Sequence, residues 1–132
     1  MTRQLMKDLY NALCTNSNLT AIVPSNNIKI GWQNEISSFP TITIFQIGGT
    51  SRGQLGYNTA AVGSGLVKEN FGPQIEIYSR ISTLQNYQIL DELNDIMISS
   101  GYEKLSDLDD YDDTLGAHRK ITRWNKLILN ED

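Results

Sequence analysis

The residues with the most chemical potential crowd the last third of the chain. Asp107, Asp109, Asp110, Asp112 and Asp113 come first, the only histidine, His118, follows, and Arg119, Lys120, Arg123 and Lys126 come after it. A run of carboxylates can gather oxygen ligands for a divalent cation. This one lacks the glycine at the sixth loop position and the glutamate at the twelfth that an EF-hand requires, so residues 104–113 read as a solvated acidic turn. Bases interleaved with an aromatic, here Trp124, are the footprint of a nucleic-acid stripe. Strand alternation divides them, with Lys120, Trp124 and Lys126 on one face and Arg119 and Arg123 on the other. His118 has neither a second histidine nor a G-x-S-x-G serine to work with. Cys14 sits on the apolar side of an amphipathic segment, where a thiol is a small core residue rather than a nucleophile. The glycines of residues 48–72 fit neither the Walker pattern nor G-x-G-x-x-G, and no strand-to-helix step follows them. No catalytic residues, cofactor or metal are expected.

Charge is mild in sum and uneven in place. The formal net charge is -4 and the isoelectric point about 4.9. Residues 83–113 nevertheless hold nine acids against the single base Lys104, a local net of -8, whereas residues 117–126 hold four bases and no acid. Such segregation suggests contact with a partner or with another copy of the chain. With so low an isoelectric point, salt-sensitive phosphate binding is the lesser reading of the basic segment.

These groups must be positioned by a single small domain. A chain of 132 residues, 39% hydrophobic and 20% charged with three prolines, can bury one core without metal or disulfide. Its one cysteine excludes an intrachain disulfide and fits a reducing compartment. Aliphatic runs fall far short of the roughly 20 residues of a membrane span, and the first residues do not read as an apolar signal segment. Cytoplasmic synthesis is the expectation.

The organising stretch is residues 73–101. Ile75 and Ile77 alternate with Gln74, Glu76, Tyr78 and Arg80, which predicts a half-buried strand. Leu84, Tyr87, Leu90, Leu93 and Met97, flanked by Ile89 and Ile96, then recur at helical spacing, with Asp91, Glu92 and Asp95 opposite. Ser82 and Gln85 have capping-box spacing, and Gly101 is placed to end the helix. Upstream, Leu5, Met6, Leu9, Leu13 and Cys14 predict a first amphipathic helix. A short apolar turn at residues 19–23 ends at Pro24. A strand through Ile28, Ile30 and Trp32 follows, then a more buried one over residues 40–47. Residues 48–72 carry seven of the ten glycines and read as an extended hairpin or arm. One or two last strands surround Ile121, Trp124, Leu127 and Ile128. This order predicts an α+β domain, a small antiparallel or mixed sheet of four to five strands packed against two helices. The expected core includes Leu9, Ile44, Ile75, Ile77, Leu90 and Leu93.

Several segments in this order, LMKDLYNAL, LTAIV before a strand, FPTITIF, QIEIYSR running straight into a long helix, Gly101 at its end, and YDDTLGAHRKITRW, together resemble the tail terminator or tail completion proteins of long-tailed bacteriophages, also called head-to-tail joining or minor tail proteins. The resemblance spans nearly the whole chain. It implies a virion protomer, made in the host cytoplasm, that forms a ring, usually hexameric, at the head-proximal end of the tail. Such a ring ends polymerisation of the tail tube protein and docks the head connector or stopper, while DNA passes through the lumen without sequence-specific binding. The family brings no catalytic residues. Residues 48–72 depart from it in length and glycine content. Contact residues are expected at Arg52, Tyr57 and Lys68 in the arm, at Asp109, Asp110 and Asp112 in the acidic segment, and at Arg119, Lys120 and Arg123 in the basic one. The competing readings are a head-completion or stopper neck protein and a small nucleic-acid-binding module that uses the C-terminal strand.

Overall fold

The computed structural model describes residues 2–31, 33, 35–48 and 67–129. Helix α1 (Thr2–Thr15) leads through a single turn of helix, α2 (Ser17–Thr20), and a 3-10 turn (Ser25–Asn27) into strand β1 (Ile28–Ile30). Strands β2 (Thr41–Gly48) and β3 (Val67–Ser79), helix α3 (Thr83–Ser99), and strands β4 (Glu103–Asp112) and β5 (Ala117–Leu129) complete the chain. The strands form one open mixed sheet in the order β1-β2-β3-β5-β4. Only β1 and β2 are parallel. The α+β expectation therefore holds, with five strands among the described residues.

Register places the core. Ile42 and Ile44 of β2 pair with Ile77 and Ile75 of β3, and Ile28 of β1 pairs with Ile42, so one sheet face presents a block of isoleucines. Leu9 and Leu13 of α1, Leu19 and Val23 of the next turns, and Ile89, Leu90, Leu93, Ile96 and Met97 of α3 close over it with Trp124 and Phe71. All six expected core residues are buried. Cys14 lies half-buried against this cluster as a free thiol.

Helix α3 starts and stops on local signals. Ser82 Oγ accepts from the amide of Gln85 at 3.1 Å, the cap that satisfies one orphan donor of the first turn. The reciprocal half of the box is rerouted: Gln85 takes the hydroxyl of Ser79, and Ser79 Oγ accepts from the amides of Ile81 and Ser82. At the other end Gly101 has φ 92°, the amide of Tyr102 donates to Met97 O at 2.9 Å, and that of Gly101 to Ile98 O at 3.0 Å. This is the Schellman pattern, which only a residue at ease with positive φ closes without strain.

The structure corrects four readings. The acidic segment is an edge strand, β4, and not a turn; the turn is confined to residues 113–116, where Asp112 Oδ1 accepts from Leu115 N and Gly116 adopts φ 63°. The third strand starts at Val67 rather than at residue 73. Gly72 and Pro73 disguised it, and the proline falls beside the irregular step of the β2 ladder between Gln46 and Gly48, where a missing donor is tolerated. Leu84 leaves the buried stripe of α3 and is 68% exposed, while Asn86 is buried in the helix face instead. The face of β3 opposite the helices is covered as well, since Glu76 and Tyr78 are buried. Of the expected arm, residues 49–66 lie outside the described residues.

Candidate functional site

The site is the C-terminal hairpin, β4 and β5, with the N-terminal half of α3. The four-residue turn fixes Asp112 opposite Ala117, and from there the ladder sets Asp110 against Arg119, Asp109 against Lys120 and Asp107 against Thr122. Neighbours across a non-hydrogen-bonded or hydrogen-bonded pair stand close enough for their charges to meet. The acidic and basic segments therefore answer each other within one chain.

On the helix side Lys120 is only 2% exposed. Its ammonium donates to Asp109 at 3.1 Å and to Asp107 at 3.4 Å, and lies 4.4 Å from the centre of the Tyr87 ring. Tyr87 donates its hydroxyl to Asp109 at 2.6 Å, tying α3 to the edge strand. Burial pulls the Lys120 ammonium down, but the hydrogen bond and charge of Asp109, followed by Asp107, outweigh it and leave the group above its ordinary value. Asp107 also pairs with Lys104 at 2.8 Å. That hydrogen bond, with Lys120 adding to it, holds the Asp107 carboxyl below its ordinary value against partial burial. His118 packs its ring edge-on against Tyr111 at 5.1 Å and shares a hydrogen bond of 3.3 Å with Thr83, while Asn86 donates to His118 O.

On the other face Arg119 grips Asp110 with two hydrogen bonds, 2.6 and 3.1 Å, and stands 3.9 Å from Glu76. Glu76, 5% exposed, accepts from Tyr78 and Gln74, each at 2.6 Å. The Asp110 bond raises the Arg119 guanidinium above its ordinary value. Burial, then the bond to Glu76, pushes the Tyr78 hydroxyl up to about 12. Arg123 donates to Gln74 and is exposed.

Of the expected contact residues, then, Asp109 and Lys120 meet on one face and Asp110 and Arg119 on the other. Asp112 caps the turn, and Arg123 is exposed with no acidic partner among the described residues, donating to Gln74 instead. Lys68 lies in β3, and Arg52 and Tyr57 lie outside the described residues. Sequence reasoning missed the α3 members Tyr87, Thr83 and Asn86 as parts of the site; a hydroxyl-bearing tyrosine within the apolar stripe was the signal, and the structure leaves it exposed. A cleft of about 200 Å³ lined by Leu5, Asp8, Leu9, Ser100, Tyr102 and Lys126 opens at the far end of α3. There the Lys126 ammonium lies 5.3 Å from the Tyr102 ring centre, and burial, with Asp8 adding to it, pushes the Tyr102 hydroxyl up to about 12. Among the described residues no three histidine, cysteine or acidic side chains group as metal ligands, and no helix is long and apolar enough to cross a membrane.

Among solved structures the fold is shared with a virion chain. That chain belongs to the virion of the native gene transfer agent particle, at a TM-score of 0.67 and 6% sequence identity, with 92% of each chain covered. At so low an identity the likeness is one of fold. No protein-family model matches the sequence, and no curated protein matches it. The gene transfer agent chain and this one thus share an architecture over nearly their full lengths without sharing a recognisable sequence.

Proposed function

We propose that this chain is a structural protein of a phage-like virion, and within it a tail terminator: a ring subunit at the head-proximal end of the tail that stops tube growth and joins tail to head. The observation that carries this reading is the end-to-end match in fold to a chain of the gene transfer agent virion. The order of elements that resembles tail completion proteins supports the finer role, with the tail tube and the head connector as partners. Ring assembly in the host cytoplasm and residence in the tail or neck follow from that role, as does a lumen that DNA crosses without being read. Such a protein acts by fit and needs neither catalysis nor a cofactor.

A neck stopper is the nearest alternative, and loss of the gene separates the two. Deletion from the parent genome, scored by electron microscopy, is expected to give free heads with overlong, unjoined tails, and the wild-type gene in trans is expected to restore joined particles. Unjoined tails of normal length would favour the stopper. Normal infectious particles would overturn both. The nucleic-acid module is disfavoured by a specific observation: Lys120 is buried between two carboxylates and Arg119 is held by Asp110, so two of the four bases of the stripe are neutralised within the chain.

A further inference from the structure

Among the described residues the sheet is open at both ends, with β1 at one edge and the ten-residue β4 at the other. An unpaired edge presents a row of amide donors and carbonyl acceptors ready to meet another strand. The two flanks differ in what surrounds that row. Six of the nine large apolar side chains exposed among the described residues, Ile81, Leu84, Tyr87, Leu105, Leu108 and Tyr111, sit on β4 or at the start of α3. Leu105, Leu108 and Tyr111 line the edge strand itself and Tyr87 is bonded to it, a belt at one edge where scattered single residues would be the norm for a monomer. Tyr87, bonded to Asp109, and Tyr111, packed on His118, hold that belt in place.

Charge distinguishes the flanks further. Glu103, Asp112 and Asp113 of the β4 hairpin, and Asp91, Glu92 and Asp95 of α3, have no cation paired with them among the described residues. The opposite flank is made of α1 packed on β1. It carries Arg3, Lys7 and Lys29 against the single acid Asp8 over residues 1–31, with Arg3 and Lys7 exposed on α1 and Ile30 exposed on the edge strand β1. An acidic, apolar edge at one end and a basic edge with an exposed isoleucine at the other are complementary to each other and not to themselves.

We infer that copies of the chain associate head-to-tail, the β4 and α3 flank of one seating on the β1 and α1 flank of the next. Two β4 flanks would oppose like charges, so a two-fold dimer through that edge is disfavoured, and a heterologous contact repeated with rotation closes into a ring. This rests on the ring reading above and names the surfaces that build it.

Two variants test it, each changing an exposed side chain. Ile30→Glu places an acid on the basic flank, and Leu108→Lys places a base in the acidic belt. Thermal melts of both are expected to match wild type, because neither residue packs in the core. Native mass spectrometry and negative-stain imaging are expected to show oligomers for the wild type and monomers for each variant. An equimolar mixture of the two variants is expected to associate where each alone does not, because each retains the flank that the other has lost. Rings that persist in both variants would overturn the assignment of these flanks while leaving the ring itself standing. A wild type that stays monomeric in solution and is present singly in assembled particles would overturn the ring as well.

Discussion

A buried ammonium destabilises a fold unless opposite charge stands within hydrogen-bond reach, and Lys120 has two carboxylates there. Asp109→Ala leaves it with Asp107 alone, and the expected loss is about 1 to 3 kcal/mol in urea unfolding, the range for stripping a partner from a buried polar group. Lys120→Met combined with Asp109→Asn is expected to cost less than the sum of the single changes, which a double-mutant cycle reads directly. Acid should loosen the same corner. Because the Asp107 carboxyl is depressed from 3.8 in the fold, folding favours its ionised form; that contribution is complete above the unfolded value and drains as pH falls through the folded one. Asp107→Asn should flatten the fall in melting temperature below that point. At the alkaline end the sign reverses. Tyr78 and Tyr102 are raised from 10.0 to about 12, so the stability they confer is whole below pH 10.0 and is lost as pH rises towards about 12. Absorbance titration of the folded protein should show these two phenols ionising last.

At the scale of elements, α3 is a strip of apolar contact with a serine at one end and a glycine at the other. Leu93 is fully buried beneath it, and Leu93→Ala is expected to cost about 2 to 5 kcal/mol. Leu84→Ala on the same helix should change stability by no more than about 0.5 kcal/mol, since Leu84 faces solvent. Ser82→Ala removes the cap and should cost about 0.5 to 2 kcal/mol. Chemical denaturation of the three ranks them, and an equal loss at residues 84 and 93 would misplace the buried stripe. Strand β4 is a different kind of element. Its side chains bury almost nothing, and it is held by its ladder to β5 and by charge, so hydrogen exchange along β4 should exceed that along β3, which is paired on both sides.

For the whole molecule the decisive quantity is what charge remains after internal pairing. The chain is acidic overall, Lys120 is enclosed, and Arg119 is engaged by Asp110. A short DNA duplex is therefore expected not to be retained at physiological salt in a fluorescence anisotropy titration, because few phosphate contacts are on offer and counterion release drives such binding. Retention at that salt, lost on Arg123→Ala, would revive the nucleic-acid reading.

The residues alone settled what neighbouring positions decide. The apolar spacing in α1 and α3, the alternation through Ile75 and Ile77, the serine cap and the Gly101 stop are all written within a few residues of where they act, so the α+β class and the core were legible. Strand β4 was not. With nearly every side chain in solvent it has no buried face, and without one there is no period of two to read. The pairing of Asp107, Asp109 and Asp110 with Lys120 and Arg119 was equally hidden, because it depends on a register fixed by one four-residue turn. A sequence lists charges in line and leaves open whether they meet each other or a partner. Only the tertiary fold, by laying β4 against β5 beneath Tyr87, decided that Asp107, Asp109 and Asp110 meet Lys120 and Arg119.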